Sequence, residues 1–116
     1  MTATHTHLLE VSTMELPPSA PPARVVSGTP ECGEFVIVDT GDIEIGIWEV
    51  TPGTFLSSKK DIGEVVQFVF GAGRIEHPDG TVSPIAPGVI VEFLPGWEGT
   101  WVVTETTRKL YTIYAA

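Results

Sequence analysis

The chain has no asparagine, one cysteine and only six basic side chains. Each shortage removes a class of protein. Without asparagine there is no N-glycosylation acceptor. With Cys32 alone, no internal disulfide and no cysteine-rich zinc site can form. No nearby residue is set to activate it, so Cys32 reads as a small buried apolar residue. Six Lys and Arg against fifteen Asp and Glu leave a formal charge of −9 and a pI near 4.5. A surface that negative repels phosphate backbones and anionic headgroups, which argues against nucleic-acid and membrane-surface partners. It does not exclude an anionic small ligand in an enclosed pocket. No apolar run is long enough to span a bilayer, and the first residues lack a charged-then-apolar signal layout. A soluble cytoplasmic protein is expected.

What is present is ordinary globular material. Hydrophobic residues at 42% and charged residues at 18% exclude a disordered chain. A length of 116 residues suits one core rather than two. Residues 1–23 form an N-terminal arm and Pro-rich linker. Leu8, Leu9, Val11, Met14 and Leu16 make an apolar arm that packs on a surface, a second subunit being one choice and fraying in solvent the other. Pro17-Pro18 and Pro21-Pro22 then hold the backbone extended.

Residues 24–116 form the folded domain, and its signal is β throughout. Phe35 to Val38 is a dense strand run, and Ile43, Ile45 and Ile47 alternate with Glu44, Gly46 and Trp48. Pro52-Gly53 breaks that strand, and Ser57 to Gly63 reads as a polar loop. Glu64 to Phe70 is the next strand, ended by Gly71-Ala72-Gly73. A hairpin turning at Pro78-Asp79-Gly80 follows. Gly88 to Trp101 supplies a strand, a Pro95-Gly96 turn and a Gly-Trp-x-Gly-x-Trp corner, where glycine lets large rings lie against passing backbone. Trp101 to Thr104 and Arg108 to Tyr114 read as two final strands. Many short strands punctuated by Gly and Pro predict a sandwich or barrel.

Four segments resemble the cupin superfamily, and more closely its single-domain branch related to ureidoglycine aminohydrolase and ethanolamine-utilisation cupins. They are Gly46 to Gly53, Glu64 to Gly71, Pro95 to Trp101 and Thr106 to Tyr111. The resemblance implies an all-β double-stranded β-helix, a jelly-roll cupin barrel of about eight to eleven strands. It also implies four metal ligands, of which this chain keeps only Glu64. The two positions of the family's His-x-His fall on Ser57 and Lys59, or on Ser58 and Lys60, and the last histidine falls on Gly99. One carboxylate beside an ammonium group cannot hold a first-row metal. The barrel is therefore expected to be metal-free, with no cofactor. His5-Thr6-His7 lies ahead of the prolines and reads as a solvated terminal pair, and His77 as a surface turn residue.

The resemblance turns the Glu64, Val66, Phe68, Phe70 face inward, where a carboxylate among rings would have a raised pKa suited to proton transfer. Trp48, Phe55, Glu64, Phe68, Trp97, Trp101 and Tyr111 are the expected ligand-binding set, with Glu64 also the candidate catalytic residue. Lys59 and Lys60 read as solvated, and Arg108-Lys109 as partners of Glu105 or of a subunit contact. The expected function is a metal-free cupin binding a small polar or cationic metabolite, linked to amine or nitrogen metabolism and assembled as a homodimer. The alternative is a metal-independent isomerase, lyase or hydrolase using Glu64 as general acid–base. A purely structural subunit would instead fill its barrel with its own side chains. An interior cavity holding Glu64 speaks against that last reading, and a second titratable group near Glu64 speaks for the enzyme.

Overall fold

The computed structural model describes residues 2–116, and its ordered elements are all β. Nine strands follow in chain order: β1 (Pro18–Ser19), β2 (Arg24–Gly28), β3 (Cys32–Asp39), β4 (Ile43–Val50), β5 (Gly53–Ser58), β6 (Ile62–Glu76), β7 (Val82–Ile85), β8 (Ile90–Phe93) and β9 (Glu98–Ala115). Every pairing is antiparallel. The order β1-β3-β4-β9-β5-β2 forms one wall, and β6 pairs with β7, β8 and β9 to curl the other side around. This is the expected cupin barrel. No described helix is long and apolar enough to cross a membrane.

Two strands are longer than the sequence suggests. Gly71-Ala72-Gly73 bends β6 instead of ending it, and β9 runs unbroken through Glu105-Thr106-Thr107. The reason lies in a cluster of register shifts between β6 and β9 from Phe68 to Gly73. Gly71 and Gly73 have φ of +133° and +140°, and a Cβ on either would strike Thr107 or the Val102 carbonyl. Glycine therefore allows a bulged corner with the ladder kept on both sides, which a turn would have broken. Each long strand thus serves both halves of the barrel. The first half of β9 pairs with β5 and the second with β4, while β6 follows along its other edge.

The arm folds back on its own barrel. β1 pairs with Cys32 and Gly33 of β3, Glu34 N–H donates to Pro17 O, and Met14 is buried. On that outer face Arg108 is buried beneath the arm, donating to Val11 O and to its cross-strand neighbour Glu49, with its guanidinium over Phe70. Leu8 and Leu9 remain exposed. Cys32 is buried beside β1, and burial pushes its thiol up to about 11, with Lys109 pulling the other way.

Inside, Trp101 is the centre of the core. It stacks on its cross-strand partner Phe55 at 5.7 Å and meets Trp48, Phe68 and Phe93 at 5.7, 5.8 and 6.0 Å. Such aromatic pairs are worth about 0.5–1.5 kcal/mol each beyond the area they bury.

Candidate functional site

Strand register sets out the site in rows. Glu34, Trp48, Lys109 and Phe68 are successive cross-strand partners across β3, β4, β9 and β6. Directly opposed residues share a face, so all four belong to one inward row. Two residues along, Gly46 and Val66 flank Tyr111, and two further, Glu44 and Glu64 flank Ile113. Gly46 has no side chain because the Tyr111 phenol lies over it, a Cβ there falling 2.5 Å from the hydroxyl. From that seat the Tyr111 hydroxyl lies 2.6 Å from Glu34 Oε2 and 2.8 Å from Glu44 Oε2. Its single proton serves one carboxylate at a time. Burial first, then these two carboxylates, push the phenol far above its ordinary value.

Glu64, 1% exposed, is held from two sides. Lys109 Nζ donates to Oε2 at 2.8 Å, and Lys59 Nζ stands 2.8 Å from Oε1. The Lys59 contact is an ion pair poorly aligned for a directed hydrogen bond, which leaves Oε1 without an aligned donor. Lys59 is aimed by its backbone, whose N–H donates to Trp97 O while its carbonyl accepts from Gly96 N–H, both at 2.7 Å. Lys109 Nζ sits over Trp48, Trp101 and Tyr111 at 4.7, 5.1 and 5.5 Å from the ring centroids. The aromatic cage expected to hold a ligand's ammonium group thus holds the chain's own.

These contacts reverse the expected acid. Burial alone raises the Glu64 carboxyl, but Lys109 and then Lys59 outweigh it and hold it below the ordinary carboxylate value. Burial pulls Lys109 below the ordinary lysine value, with Glu64 opposing and Lys59 adding repulsion. Both directions are consistent, since one carboxylate has two cations while the two lysines share one anion. Glu64 is an anion at neutral pH, already neutralised by lysine.

A cavity of about 360 Å³ opens onto this cluster. Of the residues expected to line it, Trp48, Phe55, Glu64, Trp101 and Tyr111 do so. Phe68 packs behind Trp101, and Trp97 faces away. Trp97 lies edge-on to Phe93 at 4.5 Å and donates from Nε1 to His77 Nδ1, while His77 Nε2 meets Ser83 Oγ at 2.7 Å. His77 is therefore a pinned structural residue rather than a loose turn residue. A wider groove of about 770 Å³ beside β1 carries only Glu31 and Glu49 as charged groups, and Glu49 is engaged by Arg108. Nothing converges there.

Sequence reading missed Lys109, Glu34 and Glu44. Lys109 had a signal: it stands two residues before Tyr111 on one strand, so alternation gives both the same face. Glu34 and Glu44 had none, because their positions depend on the β3–β4 register.

The cupin metal finds no donor set in these residues. Among the described residues no group of three or more His, Cys, Asp and Glu converges. Ser57 and Gly99 face one another across β5 and β9, and a Cβ on Gly99 would meet the Trp97 ring and lie 2.5 Å from Glu76 O. The remaining ligand, Glu64, is flanked by two ammonium groups that repel a cation.

Comparison with known proteins agrees with this architecture. The sequence profile of the EutQ-like cupin domain matches residues 29–111. No curated protein matches the chain. Among solved structures, a protein of unknown function from Pseudomonas syringae pv. tomato superposes with a TM-score of 0.78 at 26% identity, over 88% of this chain and 45% of its own. The chain therefore spans less than half the length of that protein. The Clostridium difficile EutQ protein aligns with a TM-score of 0.65 at 18% identity, covering 76% of this chain and 71% of its own. Ectoine synthase from P. lautus gives 0.64 at 19%, covering 79% and 68%. These last two likenesses bear on fold alone.

Proposed function

As a member of the EutQ-like cupin domain family, this chain is, we propose, a metal-independent cupin that binds a small polar metabolite in the cavity over Glu64. One observation carries the reading: two lysine ammonium groups sit 2.8 Å from the carboxylate that would otherwise be a metal ligand. The cations that balance Glu64 are covalently part of the chain, so the polar cluster needs no ion to be neutral enough to bury. The cavity beside it speaks against a purely structural role. A link to amine metabolism rests on the likeness, at 17% identity, to a proposed ethanolamine utilization protein from Salmonella typhimurium.

The test is elemental analysis after growth in metal-supplemented medium, with thermal shifts in manganese, iron, nickel, zinc and chelator. The expected outcome is substoichiometric metal and an unmoved transition, since no binding free energy is linked to folding. About one tightly held metal per chain, by analogy with structural and catalytic sites, would overturn the reading.

The enzyme alternative has one observation in its favour, namely titratable groups 2.8 Å from Glu64. In that reading the working base is Lys109, whose value is lowered, and Glu64 is its counter-ion. Turnover lost in Lys109→Met with ligand binding retained would separate the two. The homodimer is proposed through β3. Beyond Gly33 its outer edge has no partner strand among the described residues, and Val36, Ile37 and Val38 are exposed there. An antiparallel edge is self-complementary about a two-fold axis, so a second copy covers it. Sedimentation of Val36→Lys as a monomer is the expected result.

A further inference from the structure

We infer that the cavity takes a monoanion, a small carboxylate with an apolar or aromatic body, seated between the Lys59 ammonium group and the indole N–H of Trp101. This rests on the small-molecule reading above and fixes the sign of the ligand. Two observations carry it independently.

The first is charge. Three of the chain's six basic residues, Arg24, Lys59 and Lys109, line this one cavity, against only two of its fifteen acidic residues, Glu34 and Glu64. Three against two leaves one surplus positive charge, on a protein whose formal charge is −9. A cavity of opposite sign to the whole molecule draws counter-ions of the other sign. A single surplus charge suits a carboxylate better than a phosphate dianion. A cationic ligand finds Glu64 already taken by two cations and the aromatic cage filled by Lys109, which leaves it only Glu34, a carboxylate that already meets the Tyr111 hydroxyl.

The second observation is an orphan donor. Trp101 Nε1–H is buried, in a residue 1% exposed, and has no acceptor among the described residues. A buried donor left unpaired is costly, and an oxygen acceptor brought by a ligand relieves that cost. Lys59 has three N–H donors and a single ion-pair partner among the described residues, so donors remain for a second carboxylate. Arg24, which lines the cavity, is exposed and makes no ion pair among the described residues, which suits it to guide an anion inward. The walls between these donors are Trp48, Phe55, Leu56 and Ile113, an apolar lining for the ligand's body.

The experiment titrates the full chain with three probes of one shape, phenylacetate, 2-phenylethanol and phenethylamine. Tryptophan fluorescence and thermal shift are read at low and high salt. The expected result is that phenylacetate binds, the alcohol binds more weakly and the amine does not bind. Lys59→Gln should weaken phenylacetate about tenfold or more, the loss of one charge-assisted hydrogen bond. Arg24→Gln, at an exposed side chain, keeps the test usable if Lys59→Gln is poorly folded, and should weaken binding at low salt only. Amine binding as tight as phenylacetate binding overturns the assigned sign and leaves the small-molecule reading standing. No binding of any probe at millimolar concentration overturns the inference. If elemental analysis also finds stoichiometric metal, the reading beneath it falls as well.

Discussion

Replacing Lys109 with Met tests the central cluster most directly. The ammonium group has 8% side-chain exposure, hydrogen-bonds Glu64 Oε2 at 2.8 Å and faces three rings. Breaking one side of a buried ion pair costs about 3–5 kcal/mol, because the remaining charge stays buried without its partner. Here Lys59 still stands 2.8 Å from the other oxygen, which places the cost at the lower end. Loss of the cation–π contacts adds about 0.5–1 kcal/mol, partly recovered by the flexible thioether. The expected loss is therefore about 3–4 kcal/mol. For a chain of this length that is a fall of roughly 12–16 °C in Tm. The assay is urea denaturation at neutral pH, with a lowered midpoint at unchanged slope. Glu64→Leu/Lys109→Met removes both charges and should recover part of the loss, giving a coupling of about 2 kcal/mol or more in the double-mutant cycle. A single variant within about 1 kcal/mol of the parent, below the range for a broken buried pair, would falsify the cluster as the core's central polar contact. Strict additivity of the two substitutions would do the same.

Further consequences follow from individual groups. Glu64 has a folded pKa below its ordinary 4.5, so between those values the unfolded chain binds more protons and stability falls as pH is lowered. Acid unfolding followed by near-UV circular dichroism should steepen below that value in the parent and flatten in Glu64→Gln, which is already destabilised at neutral pH. Equal pH slopes in both would contradict the assignment. Gly99→His, which restores the family's ligand in name, should create no metal site and cost about 1–3 kcal/mol by overpacking against Trp97 and Glu76 O. A cobalt spectrum from that variant would oppose the reading. Cys32, buried with its thiol raised to about 11, should react with a disulfide reagent only at the rate of unfolding. Gly73→Ala should lower the unfolding free energy by about 1–3 kcal/mol, read as a lower urea midpoint at unchanged slope, since φ of +140° and the Val102 carbonyl leave no room for a methyl group.

The sequence alone determined the all-β class and the alternation of β6, because a period of two can be counted without a partner strand. The barrel and the inward turn of Glu64 came with the family resemblance, and the register shifts past Phe68 put Phe70 beneath Arg108 on the outer face instead. Set against the cupin motif, the sequence also showed which metal ligands are missing, since Ser57 and Lys59 (or Ser58 and Lys60) and Gly99 stand at the histidine positions that the resemblance implies. The corner at Gly96 to Trp101 was legible as a close approach of ring and backbone. Its direction was not, and Trp97 turned toward His77 and away from the cavity. Continuity through Gly71 and Gly73 was decided in space as well, because a glycine of positive φ reads as a turn until the neighbouring strand shows that the ladder continues. The same holds for the charges. Lys59 and Glu64 are five residues apart and Lys109 is forty-five further on, and no local pattern says that both ammonium groups meet one carboxylate. Only closure of the barrel, which brings β9 against both β4 and β6, places Lys109 within the aromatic cage. Glu64 was legible in the sequence, but its partners, its ionisation and the sign of the cavity belong to the tertiary structure, because charge interactions depend on distances that sequence spacing does not record.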